Sequence, residues 1–316
     1  MKMKNAGLLL AGLVVALACN LGGPSRPPAG GTPSGTTPSA EAKPAETLAG
    51  LPSATARPSD TAADPPAVPG GFFPIAVGTS YKPNEAILLG GAENGAWLDA
   101  EAAAARLSGG ETYTLYAPDG PVATAVGSKP ERERICPQYY FNWSPAPSAT
   151  ALVGLGGGAW NALPRPPAAP VVADYPLYTT AAADWLASQG MPVPDPLRLA
   201  GVVRADLDGD GTMEAIISAS RFSDGSMHDV GAGDFTFVLL YREAAAETIL
   251  LAGKVYPDAK SMVFPMAFSL LTILDLNGDG RMEVIVHVSL WEGEGTRVFA
   301  YNGSAAEMVL SASCSA

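Results

Sequence analysis

The stretches Asp206-Leu-Asp-Gly-Asp-Gly-Thr-Met-Glu-Ala-Ile-Ile217 and Asp275-Leu-Asn-Gly-Asp-Gly-Arg-Met-Glu-Val-Ile-Val286 lie 69 residues apart and agree at eight of twelve positions. The likeness runs on. Val238-Leu-Leu-Tyr241, Ala245-Ala-Glu247 and Leu250 match Val298-Phe-Ala-Tyr301, Ala305-Ala-Glu307 and Leu310 at an offset of 60. A longer connection in the first copy, Arg221 to Asp234, accounts for the difference in offset. One supersecondary unit is therefore present twice. β-Branched and aromatic residues dominate its apolar runs, which predicts strands rather than helices. The first copy reads as strands at Leu199–Ala205, Glu214–Ser220, Phe235–Tyr241 and Glu247–Leu251. The second reads as Phe268–Leu274, Glu283–Ser289, Thr296–Tyr301 and Glu307–Leu310.

Each acidic bend joins the first strand of its unit to the second. It sets side-chain oxygens at positions 1, 3, 5 and 9, with glycines at 4 and 6. Calcium takes six to eight hard oxygen ligands, so a tight bend must fold several of them round one point. The 1-3-5 alternation aims successive side chains inward, and Gly211 and Gly280 permit the sharp turn. The expected ligands of the first site are the side chains of Asp206, Asp208, Asp210 and Glu214 with the Thr212 carbonyl. Those of the second are Asp275, Asn277, Asp279 and Glu283 with the Arg281 carbonyl. Two calcium ions are expected. Without a cation, each like-charge pair at ~4 Å costs on the order of 4 kcal/mol at an effective dielectric of 20. The alternative is an acidic turn that holds no metal.

An EF-hand or dockerin loop needs an acid at position 12 and a following helix. Position 12 here is Ile217 or Val286, inside a predicted strand. The arrangement instead resembles the strand–loop–strand calcium sites of the FG-GAP and VCBS repeat families, found in integrin-type propeller blades. Those families usually carry Asp at position 9, where this chain has Glu214 and Glu283. The resemblance implies a mainly β (α+β) fold with two blade-like four-stranded units, on which a smaller mixed N-terminal region packs. Propellers close with four to eight blades, so two units make an incomplete assembly.

The expected organisation is a leader at 1–19, a stalk at 20–71, a mixed α+β region at 72–190 and the two-repeat domain at 191–316. In the mixed region, Asp99 caps a short helix that runs to Leu107 and stops at Gly109-Gly110. Tyr113–Ala117 and Val122–Val126 are strands round the turn Pro118-Asp119-Gly120. Cys136 to Trp143 holds four aromatic residues, read as packed core in preference to a glycan platform. Gly154-Leu-Gly156-Gly-Gly-Ala159 fits G-x-G-x-x-A, but the prolines at 164, 166, 167 and 170 forbid the helix a dinucleotide needs. These glycines are expected to form a loop. A second helix is expected at Ala181–Gln189, with Trp185 and Leu186 facing inward.

At the other end, Met1-Lys2-Met3-Lys4 precedes an apolar run from Ala6 to Ala18, too short to span a bilayer. The run ends in Ala16-Leu17-Ala18-Cys19, which resembles the lipobox of bacterial lipoproteins, with Ala16 where leucine is usual. The resemblance implies a lipidated Cys19 and a chain anchored on the outer face of a bacterial membrane. Residues 20–71 carry eleven prolines and no aromatic residue, the composition of a stalk. Lipidation of Cys19 leaves Cys136 and Cys314, which can pair in an oxidising setting or stay as two buried thiols. The bridge is expected.

The formal net charge of −12 argues against nucleic acid, because phosphates need a basic footprint. Two histidines, His228 and His287, cannot build a multi-histidine zinc site. No G-x-S-x-G elbow or H-E-x-x-H sequence occurs. The expected role is a non-enzymatic, monomeric surface scaffold that presents a face to an extracellular protein or glycan. Its candidate loops are Arg221–Asp234 and Trp291–Gly295. The alternative is a secreted metal-dependent or two-carboxylate hydrolase acting on glycans, with Asp224, Asp229, Asp234, Glu292 and Glu294 as available acids.

Overall fold

The computed structural model describes residues 70–171, 175–223, 229–260 and 262–315. The expected leader, Cys19 and the stalk up to residue 69 lie outside the described residues, as do Asp224 and His228. All described residues belong to one compact unit. The fold is mainly β, with three antiparallel sheets and two helices among the described residues.

The first sheet contains β1 (Phe72–Gly78), β2 (Glu85–Glu93), β3 (Ala96–Asp99), β4 (Thr112–Ala117), β5 (Gly120–Gly127), β6 (Glu131–Arg132), β7 (Tyr139–Ser144) and β8 (Val153–Gly156). Its pairings run β1–β2–β7–β5–β4–β8 and back to β1, a closed ring, with β3 and β6 as side branches. The ring is a small barrel. Ala76, Leu88, Tyr113, Leu115, Phe141 and Trp143 fill its inside. Ile75, Val77, Ile87 and Leu89, the alternate residues of β1 and β2, pack outward against another sheet. Both faces of these strands are covered, which is why they read as unbroken apolar runs. Helix α1 (Ala100–Ala104) sends Ala103 into the barrel core, and Asp99 Oδ1 caps it by accepting from Ala102 N at 2.8 Å.

The glycines expected to form a loop lie partly in a strand. Gly154 and Gly156 belong to β8, a buried strand between β1 and β4, rather than to a loop. A Cβ on Gly154 would stand 2.7 Å from the Trp143 ring, and one on Gly156 would stand 2.6 Å from Pro74. Close approach, not turning, selects glycine at both places. No helix follows in residues 157–168.

The first repeat forms a sheet of β9 (Ala169–Val171), β10 (Gly201–Ala205), β11 (Glu214–Arg221), β12 (Asp234–Arg242) and β13 (Glu247–Tyr256). The second forms β14 (Ala267–Leu274), β15 (Glu283–Leu290), β16 (Gly293–Tyr301) and β17 (Ala306–Ser315). The last strand of each is longer than its apolar run, because the ladder continues beyond a bulge. That bulge falls at Val238/Leu239 in one copy and Val298/Phe299 in the other, equivalent positions of the repeat. β9 is an added edge strand that the sequence hid behind Pro170; proline is tolerated at an edge.

Alternation along the central strands layers the molecule. Val284 and Val286 meet Ile216 between the two repeat sheets, whereas Ile285 turns to the barrel. Ala215 and Ile217 face helix α2 (Pro176–Ser188) on the far side. That helix begins five residues earlier than expected, with Pro176 at a first-turn position suited to a residue without an N–H. Tyr178, Ala182 and Leu186 bury it, and Trp185 packs on Phe237 at 5.0 Å between ring centroids. Glu243 fixes its start, accepting from Tyr178 Oη at 2.6 Å and Arg204 Nη2 at 2.9 Å.

The barrel and the second repeat sheet are joined covalently by Cys136–Cys314, whose Cα atoms are 5.4 Å apart. Gln138 Nε2 donates to Ser313 O at 3.2 Å beside the bridge. A second clamp has Ser80 donating through its N–H (2.8 Å) and Oγ (2.6 Å) to the Glu294 carboxylate. The bridge closes a loop over a sequence separation of 178. Such a loop restricts the unfolded chain by about 5 kcal/mol in the chain-entropy treatment. Cys136→Ser should therefore lower the denaturation free energy by up to about that amount, read as a guanidinium midpoint shift that reductant reproduces in the unsubstituted chain.

Candidate metal centre

Both acidic bends are built by one hydrogen-bond scheme. Asp206 Oδ1 accepts from Gly209 N at 2.9 Å and its Oδ2 from Gly211 N at 3.0 Å. Asp275 Oδ1 accepts from Gly278 N at 2.6 Å and its Oδ2 from Gly280 N at 3.0 Å. These glycines sit at φ between +76° and +86°, the left-handed region where a side chain is disfavoured. At position 3, Asp208 and Asn277 accept from the N–H two residues on, at 3.3 and 3.0 Å. At position 5, Asp210 accepts from Thr212 N at 2.6 Å and Asp279 from Arg281 N at 2.8 Å. At position 9, Glu214 Oε2 accepts from Leu207 N at 3.1 Å and Glu283 Oε2 from Leu276 N at 2.8 Å.

In the first bend, one carboxylate oxygen each of Asp206, Asp208 and Asp210 lies within 4.8 Å of the others. Glu214 is not part of that triad and is held beneath it by Leu207 N. The second bend replaces one acid by Asn277, whose Nδ2 donates to Asp279 Oδ2 at 3.1 Å. Thr212 and Arg281 are exposed at the rim.

The electrostatics are those of acids crowded away from water. Burial, opposed by the Leu207 N–H and reinforced by the three aspartates, pushes Glu214 up to about 7. Burial pushes Asp275 up to about 6 against the pull of the Gly278 and Gly280 N–H groups. Glu283 is driven well above the ordinary carboxylate range by burial, and Asp208 rises through burial and then the charge of Asp210. All the side-chain donors are hard oxygens, which suits a Ca²⁺-type cation and would relieve the crowding.

The two bends touch. Met282 N donates to Leu207 O at 2.7 Å, joining the residue after Asp206 to the residue before Glu283. The linker that leaves the barrel clamps the second bend: Trp160 Nε1 donates to Asp275 O at 2.9 Å, and Asp275 N to Ala162 O at 2.8 Å. A recess of about 290 Å³ lies between, lined by Trp160, Asn161, Arg165, Asp206, Asp275 and Met282. Gly303, on the β16–β17 turn, comes so near the first bend that a Cβ would stand 2.7 Å from Asp208 Oδ2. Trp160, Met282 and Gly303 carried no local signal of this role, because each contact comes from a distant part of the chain.

Three of the acids outside the bends, Asp229, Asp234 and Glu294, are tied into the scaffold. Asp234 is fully buried and accepts from Ser223 N at 2.9 Å and Gly231 N at 2.7 Å, closing the long connection of the first repeat. Asp229 Oδ1 accepts from Met262 N at 2.9 Å. Glu294 binds Ser80, as described above.

Comparison with protein-family models, with curated proteins and with solved structures finds no match to this chain.

The raised acids give a signed pH dependence. Glu214 keeps its proton to about 7 in the folded chain and to about 4.5 when unfolded, so the folded state binds more protons between these values. Stability from this group is full below about 4.5 and is lost as pH rises through about 7. In chelator, the melting temperature should fall across that window, and Glu214→Gln should make the fall shallower.

Proposed function

We propose that this chain is an exported, lipid-anchored surface protein in which two calcium ions stiffen a β scaffold that presents its loops to an extracellular partner. The observation that carries the reading is the repetition, at residues 206–214 and 275–283, of one set of backbone-to-oxygen bonds around hard oxygen donors. Asp206, Asp208, Asp210 and Glu214, with the Thr212 carbonyl, would hold one ion. Asp275, Asn277, Asp279 and Glu283, with the Arg281 carbonyl, would hold the other. Bound calcium would neutralise carboxylates that burial and mutual repulsion otherwise disfavour, and so hold the two strands leaving each bend. Extracellular calcium modules bind with dissociation constants of ~10⁻⁴–10⁻³ M, within reach of the ion outside a cell.

The resemblance of the bends to FG-GAP and VCBS repeats supports the assignment of calcium and a place outside the cell. The Ala16-Leu17-Ala18-Cys19 sequence supports an N-terminal lipid, and the proline-rich composition of 20–71 supports a spacer. Among the described residues no helix is long and apolar enough to cross a membrane.

Titration calorimetry of residues 60–316 should find two calcium ions per chain, one in Asp206→Ala and one in Asp275→Ala. Chelator should lower the melting temperature and added calcium restore it; an identical melt in both conditions removes the ion from the account. In cells, Cys19→Ser should move the protein from the membrane fraction to the soluble one.

A further inference from the structure

A second cavity, of about 380 Å³, is lined by residues of β10, β14, the turn between β4 and β5 and the linker at 161–168. Its apolar wall is supplied by Val203 of β10, Leu270, Leu271 and Ile273 of β14, and Leu163 and Pro164 of the linker. Among the described residues β14 is the edge of its sheet, whose order runs β14-β15-β16-β17. A bulge removes Leu271 from the pairing register, which passes from Leu270↔Val286 to Thr272↔Ile285. Leu270 and Leu271 are consequently both half-buried and both line the cavity, where a regular strand would turn one of them away.

The polar groups of the cavity are few. Arg165 and Asn161 belong both to this cavity and to the recess beside the acidic bends, so they stand where the two meet. Arg165 is the sole basic residue lining either space, is exposed, and enters none of the ion pairs among the described residues. Asp119, on the turn between β4 and β5, lines the mouth as well. An apolar trough of this size with a small set of convergent polar groups is the usual form of a small-molecule site. The wider recess at the β6–β7 hairpin, about 1110 Å³, lacks that form: it is lined by alternating Glu131, Arg132, Glu133 and Arg134, whose charges cancel.

We infer that the trough between β10 and β14 binds a small organic monoanion, its apolar body on Val203, Leu270 and Leu271 and its acidic head at Arg165 and Asn161. Arg165 supplies the charge complement and a forked donor for an oxyanion head. Asp119 and the acidic bends beyond Arg165 exclude a second negative charge on the ligand. The site is independent of the metal reading, because none of the residues assigned to the ions lines the trough.

The test uses residues 60–316 and a pair of fluorescent probes that share an aromatic body, anilinonaphthalene sulfonate (anionic) and phenylnaphthylamine (neutral). The anionic probe should bind saturably at one site per chain. Leu271→Trp should abolish binding of both probes by filling the trough. Arg165→Ala should weaken the anionic probe about tenfold and leave the neutral one unchanged. The absence of saturable binding, binding unaltered by Leu271→Trp, or equal weakening of both probes by Arg165→Ala overturns the assignment. Arg165 is exposed, so its variant keeps the proposal open to refutation if Leu271→Trp does not fold. Chelator in all titrations separates this outcome from the fate of the calcium reading.

Discussion

A carboxylate that must bend a strand back on itself is the constraint from which the repeat sheets follow. Asp206 and Asp275 each accept two glycine N–H bonds within their own bend. Those bonds fix the hairpins β10–β11 and β14–β15, and with them which residues of β11 and β15 face which layer. Ile216 and Val284 then meet between the sheets, and Ile285 is delivered to the barrel. The same geometry draws the acids out of water, so the bends are at once the organising element of the fold and its electrostatic weak point. The bond from Met282 N to Leu207 O ties the two weak points together.

Much of the repeat was legible because its signals are local. The β-branched apolar runs in Glu-Ala-Ile-Ile-Ser-Ala and Glu-Val-Ile-Val-His-Val mark β11 and β15, and the spacing of Asp, Gly and Glu marks the bends. The barrel was not legible, since its closure depends on β2 pairing with β7, Glu85↔Asn142 to Leu88↔Tyr139, across more than fifty residues of chain. β8 was missed for a related reason: Gly154 reads as a loop until Trp143 is known to occupy the place of its Cβ. The helix Pro176–Ser188 is legible over its second half, whereas its start rests on Pro176 in the first turn, where a proline marks a helix as readily as a break.

Within the candidate site, the acids came from the sequence and their surroundings from the fold. No pattern in residues 157–168 announces that Trp160 and Ala162 will clasp Asp275, or that Arg165 will stand between two cavities. These residues belong to a proline-rich linker, where composition says only that helix is excluded. A glycine's meaning was equally hidden at Gly303, where the limit is set by Asp208 of the other repeat.

The link between Cys136 and Cys314 has a bearing on how the protein would age outside a cell. Nearly everything from β7 onward is enclosed between its two ends, including the exposed turn at Ala244–Ala246. A protease that cuts this turn makes two polypeptides that stay attached, since the pieces remain stapled through the barrel and β17. Scission there nicks the molecule without shedding either half.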